Sequence, residues 1–190
     1  MTRREAMEYN NELKNKLEQA AREYGLEESV GGHIVDHYIT ILPESARKGM
    51  IFLKEEYISY KASNIKLDLK KALVAGLELL VSVSRPENVF NYIQLIILSL
   101  IFIEKSVKRE ISDIEAHVVY LLHKKDAYNI EIEEEKLICD VQEWYMQHEE
   151  KVVEHREIVD SLNDLHDIKV IDFKDGNIIL KEKVWGTIER

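Results

Sequence analysis

A single cysteine, Cys139, in 190 residues excludes an internal disulfide and any thiolate-rich zinc site. Placed on a helix, it reads as a small apolar residue rather than a nucleophile, since no positioned partner accompanies it. Two prolines and seven glycines leave little material for flexible linkers. Gly31-Gly32 lacks the further glycine and the Lys-Ser/Thr pair of a phosphate-cradling loop, and no Gly-x-Ser-x-Gly elbow exists. The N-terminus enters a charged helical pattern directly, without an apolar h-region or a small-residue cleavage site, so a cytoplasmic protein is expected. Long apolar runs are also missing: the least polar stretch, Val89 to Ile103, is fifteen residues. As a helix it would span roughly 22 Å, short of the ~30 Å hydrocarbon core, which favours burial in protein over a membrane.

What is present is a globular composition, 45% hydrophobic and 33% charged. The run from Val89 is preceded by Ser84-Arg85-Pro86-Glu87, a capping-box pattern with proline in the first turn. Its polar members Asn91, Gln94 and Ser99 fall within roughly 140° at about 100° per residue, and even that arc holds Leu95, Leu98 and Phe102. A helix apolar nearly all round needs partners on most sides, so residues 86–108 are expected to be the buried centre of an N-terminal bundle.

Around that centre, Thr2-Arg3-Arg4-Glu5 opens a long amphipathic helix with Leu13, Leu17, Ala20, Ala21 and Tyr24 at helical spacing, closed by Gly25. Gly31-Gly32 is expected to break the chain before a compact apolar segment, Ile34 to Leu42, ended by Pro43. A helix from Glu44 to about Ser59 and another from about Leu67 to Val83 complete the bundle, with Gly76 allowing close helix packing in the latter. Ser112-Asp113-Ile114-Glu115 is a further capping box, flanked by Ile111 and Ala116 at staple positions. A boundary near residue 111, without a linker, divides the chain into a helical bundle domain (1–111) and an acidic C-terminal domain (112–190) packed against it.

The charge follows that division. Residues 1–111 hold 16 Lys and Arg against 16 Asp and Glu, whereas residues 112–190 hold 10 against 20, so the whole net charge of -10 resides in the second part.

The C-terminal part has a defined order of elements. A helix from Asp113 to about Lys125 leads into a short extended segment, Ile130 to Ile132. Helices from Glu133 to about His148 and from about Val152 to His166 follow, then two strand-like runs, 169–173 and 177–181. Between these runs, Lys174-Asp175-Gly176 is the strongest hairpin signal in the chain. This order resembles the winged helix-turn-helix superfamily, with residues 174–177 at the tip of a β-hairpin wing; no family is recognised for residues 1–111. The fold class expected is therefore mainly α, a helical bundle around a buried central helix plus a winged-helix-like domain.

The resemblance implies DNA binding through the third helix, but the residues argue otherwise. That helix carries Glu154, Glu157, Asp160 and Asp164, with Asp167 at its end, against Lys151 and Arg156, and the helix before it opens with Glu133-Glu134-Glu135. Carboxylates on that face repel phosphates, and the wing residues Lys169, Lys174, Lys181 and Lys183 add cations only at the edge. The expected role is a non-enzymatic interaction or regulatory protein whose Glu154, Glu157, Asp160 and Asp164 meet a basic protein partner. A DNA-binding transcription regulator is the first alternative, and a homodimer is left open.

Other chemistry has thinner support. His33 and His37, at i and i+4, are the weak metal candidates and carry the second alternative, a metal-dependent enzyme. They form two ligands rather than a site, and no Glu follows His33 directly. Lys105, Lys108 and Arg109, with Lys61, Lys66, Lys70 and Lys71, are weak nucleic-acid candidates. These cations could equally meet the acidic C-terminal part within the molecule. No catalytic residue and no cofactor is expected.

Overall fold

A computed structural model describes residues 2–42, 65–81, 86–104 and 111–186. Within them the protein is mainly helical, with seven helices and two small antiparallel sheets. Helices α1 (Arg3–Glu23) and α2 (Glu28–Tyr38) lead into strand β1 (Ile39–Ile41); β2 (Ile65–Leu67), α3 (Leu69–Val81) and α4 (Pro86–Glu104) follow. The C-terminal part contains α5 (Asp113–Lys124), β3 (Ile132–Glu133), α6 (Glu134–Glu149), α7 (His155–Asp167), β4 (Ile171–Lys174), β5 (Asn177–Leu180) and β6 (Val184–Gly186).

Local signals explain most of the boundaries. The Thr2 hydroxyl accepts from the Glu5 N–H at 3.3 Å while the Glu5 carboxylate accepts from the Thr2 N–H at 2.6 Å, closing the first capping box. Ser112 and Glu115 repeat it at 3.2 and 2.9 Å, with the apolar Ile111 and Ala116 buried beside it. Helix α1 ends before Gly25, whose φ of +69° suits glycine. At the wing tip Asp175 and Gly176 both adopt positive φ, the requirement of a type I′ turn, and they join β4 to β5 with Lys174 paired to Asn177.

Helix α4 is the central helix expected from its composition. It packs on α1, α3 and α5, and Ile93, Leu95, Ile96, Ile97 and Leu100 are buried. Three of its polar residues are bonded within the molecule. Asn91 donates to the Tyr24 carbonyl at 2.8 Å, Gln94 to the Ile111 carbonyl at 3.2 Å and to Asp113 at 2.8 Å, and the Ser99 hydroxyl to the Ile96 carbonyl at 2.6 Å. These bonds satisfy groups that would otherwise be costly to bury, and they tie α4 to the end of α1 and the start of α5. No helix among the described residues is long and apolar enough to cross a membrane.

Two expectations require correction. Gly31-Gly32 does not break the chain; both residues lie inside α2. A Cβ on Gly31 would stand 2.3 Å from the Leu17 carbonyl carbon, so this glycine lets α2 lie directly on the α1 backbone. Tertiary contact there outweighs the helix penalty of glycine. Second, β1, β2 and β6 were not expected: they form one sheet in the order β1-β2-β6, with Ile65 paired to Gly186 and Leu67 to Val184. The end of the C-terminal part thus hydrogen-bonds to the N-terminal part. Three-residue strands are too short to show an alternation, so only their pairing reveals them.

Gly76 does permit close packing, since a Cβ there would overlap the Tyr92 ring at 1.8 Å. The expected helix at 44–59, the Ser84 capping box and the residues Lys61, Lys105, Lys108 and Arg109 lie outside the described residues.

Candidate partner-binding face

The C-terminal part places its elements in the order helix, strand, helix, helix, hairpin, and β3, β5 and β4 form one antiparallel sheet. Helix α7 packs on α5, α6 and β4, burying Ile158, Ser161, Leu162 and Leu165. Its pattern is strongly amphipathic, which orients the remaining side chains outward. At about 100° per residue, Glu154, Glu157, Asp160 and Asp164 fall within an arc of about 120° on one flank. Glu154, Glu157 and Asp160 are exposed and Asp164 is half-buried. Arg156 lies 3.7 Å from Asp160, a loose pair between two exposed side chains. At the far end of the helix, His166 contacts Phe173 of the wing, with ring centroids 5.3 Å apart.

Two of the hairpin's cations are already engaged. Lys174 pairs with Glu131 and Lys181 with Asp172, so two of the four wing lysines are held by carboxylates of the same domain. Of the basic residues in the N-terminal part, Lys70 bonds Glu182 at 2.7 Å and lies over the Tyr128 ring, 4.8 Å from its centroid. The Lys70 N–H also donates to the Glu182 carbonyl at 3.0 Å. Lys70 therefore meets the acidic C-terminal part within the molecule, beside β6. Its ammonium is held above the usual lysine range by the bond to Glu182, and the Glu182 carboxyl is held below its usual range by the same bond. Lys71 approaches Asp68 at 3.8 Å, and Lys66 lies half-buried in β2.

His33 and His37 are brought together as their spacing demands, with ring centroids 4.0 Å apart and planes 23° from parallel. Stacked rings direct their nitrogens along neighbouring planes instead of toward one point. His33 Nε2 is 3.3 Å from the Tyr38 hydroxyl, and His37 Nδ1 is 3.1 Å from the His33 carbonyl. Asp36, the nearest carboxylate in sequence, bonds Lys14 at 2.6 Å. Among the described residues, no group of three or more His, Cys, Asp or Glu could hold a metal ion. Cys139 is exposed on α6.

One cluster has no signal in the sequence. His117 on α5 is 1% exposed; its ring lies 3.9 Å from Phe90 of α4 and 3.5 Å from Trp144 of α6, centroid to centroid. Trp144 in turn stacks on His148 at 4.6 Å. Burial, with a smaller effect of His148, lowers the His117 pKa to about 3. The neighbouring Tyr145 hydroxyl is raised by burial, and neither it nor His117 Nε2 has a hydrogen-bond partner among the described residues. A histidine on a helix face is compatible with either surface or core, and only the convergence of α4, α5 and α6 decides between them.

The chain matches no protein-family model, no curated protein and no solved structure.

Proposed function

We propose that this is a non-enzymatic interaction or regulatory protein whose α7 face, through Glu154, Glu157, Asp160 and Asp164, docks on a basic protein partner. The observation that carries this reading is the stripe of carboxylates on one flank of α7, set in a domain that holds all the net negative charge. Such a face attracts a cationic surface over a Debye length and sets its orientation on arrival. The order of elements in residues 112–180 supports a winged-helix-type domain used for protein contact. The same carboxylates, and the engagement of Lys174 and Lys181 by Glu131 and Asp172, weigh against the phosphate contacts of the DNA-binding alternative.

The test is a pull-down from the source cells with the unmodified chain and with Glu157→Lys/Asp160→Lys, quantified by mass spectrometry. Both residues are exposed, so the substitutions should change stability by no more than about 0.5 kcal/mol each. A basic protein recovered by the first bait and lost from the second, with recovery falling as salt rises, is the expected result. Equal recovery by both baits would refute the docking face. A duplex-DNA gel shift at about 50 mM salt that depends on α7 would favour the DNA-binding alternative instead.

A further inference from the structure

The ring chain Phe90–His117–Trp144–His148 crosses from α4 through α5 to α6, where the N-terminal and C-terminal parts meet. Its one fully buried titratable ring is His117, whose Nε2 faces no acceptor among the described residues. A neutral imidazole is accommodated there as an aromatic ring. An imidazolium would need an acceptor for its second N–H, and no described residue supplies one.

The groups around it give a proton no compensating charge. From α4 comes the phenyl of Phe90, and Gln94 is committed to the Ile111 carbonyl and Asp113. From α6 come Trp144, Tyr145 and His148; His148 opposes a second positive charge, while Glu149 and Lys151 act on Tyr145. On α5 itself Asp113 bonds Gln94, and Glu115 is held in the capping box. The residues that α7 and β5 bury are neutral: Ile158, Ser161, Leu162, Leu165, Ile178 and Leu180.

We propose that this junction is a proton-sensitive latch, in which protonation of His117 opens the contact between α4 and α6 while the helices persist. The sign follows from linkage. The closed junction excludes a proton that the open one accepts, so closure is at full strength above the ordinary histidine pKa of about 6.5. It is lost progressively as pH falls toward the depressed value of about 3.

The chain has two tryptophans, so Trp185→Phe leaves Trp144 as its sole indole reporter. In that full-length background, Trp144 emission and far-UV circular dichroism are followed from pH 8 to pH 3.5. The latch requires an emission transition at higher pH than any loss of helix signal. Adding His117→Phe should move its midpoint down by about one pH unit or more, and adding His148→Gln should keep the transition and shift its midpoint only slightly upward. An unchanged midpoint in His117→Phe, a transition abolished by His148→Gln, or emission and helix signal lost together would each overturn the proposal. Should His117→Phe fail to fold, the His117 Hε1 resonance of the Trp185→Phe chain decides the matter. Proton uptake coincident with the emission change supports the latch, and uptake near pH 6.5 with unchanged emission overturns it.

Discussion

Adjacent glycines in α2 should respond in opposite directions to the same substitution. Helix propensity alone gives Gly→Ala a gain of about 1 kcal/mol at either position. At Gly31 the added methyl would lie 2.3 Å from the Leu17 carbonyl carbon, 2.4 Å from its oxygen and 2.5 Å from the Glu18 nitrogen. Those atoms belong to the α1 backbone and cannot rotate away, so the two helices must separate by roughly 1 Å to restore ordinary contact. A gap of that size forfeits a quarter to a half of each dispersion contact across the seam, where Leu13, Leu17 and Ala21 of α1 and Ile34 and Val35 of α2 are buried. Overpacking of this kind costs about 3 kcal/mol, and subtracting the propensity gain leaves Gly31→Ala less stable by about 2 kcal/mol. At Gly32 the methyl would meet Glu18 Oε1 at 2.6 Å and Lys14 Cε at 2.8 Å, the far ends of two flexible side chains. Gly32→Ala should therefore be neutral or more stable by up to about 1 kcal/mol. Urea unfolding followed by far-UV circular dichroism measures both, and the melting temperature of Gly31→Ala should fall by about 4–8 °C. A Gly31→Ala chain as stable as the unmodified one would refute the close approach of α1 and α2.

Three further outcomes follow from the same geometry. Gly76→Ala should destabilise by about 2 kcal/mol in urea unfolding, because the Tyr92 ring in its way is anchored by its hydroxyl donating to the Ala72 carbonyl at 3.0 Å. Ser112→Ala should cost about 1 kcal/mol and more than Thr2→Ala, since Glu115 of the Ser112 box is buried and the Thr2 box is exposed; equal losses in thermal melts would contradict this. Between pH 8 and pH 5, His117 should withdraw about 2 kcal/mol of stability, its contribution falling as pH drops below 6.5. Urea midpoints of the unmodified chain and His117→Phe at the two pH values isolate that share, and an identical pH dependence in both would exclude it.

Much of the candidate face was legible because its signals are local. The spacing of Val159, Leu162 and Leu165 points to the buried side of α7, although Ile158 is the residue fully buried there and Val159 is half-buried, and the same period places Glu157, Asp160 and Asp164 together on another flank. The engagement of the wing cations was not legible, because Glu131 and Lys174 are separated by a whole helix–helix segment and nothing in either neighbourhood marks the other. His33 and His37 show the converse limit: spacing brought the rings together, and ring orientation, which spacing does not encode, stacked them.

By itself the sequence determined the mainly helical class, the central position of α4, both capping boxes among the described residues, the Asp175-Gly176 turn and the concentration of charge after residue 111. Each is an effect of residues within a turn or two of one another, or of composition. The tertiary structure decided that Gly31 continues a helix, that β6 closes a sheet with β2, that Lys70 is joined to Glu182, and that His117 is a core residue. These depend on atoms distant in sequence meeting at a few ångströms, where contact with a particular neighbour outweighs the intrinsic preference of any one residue.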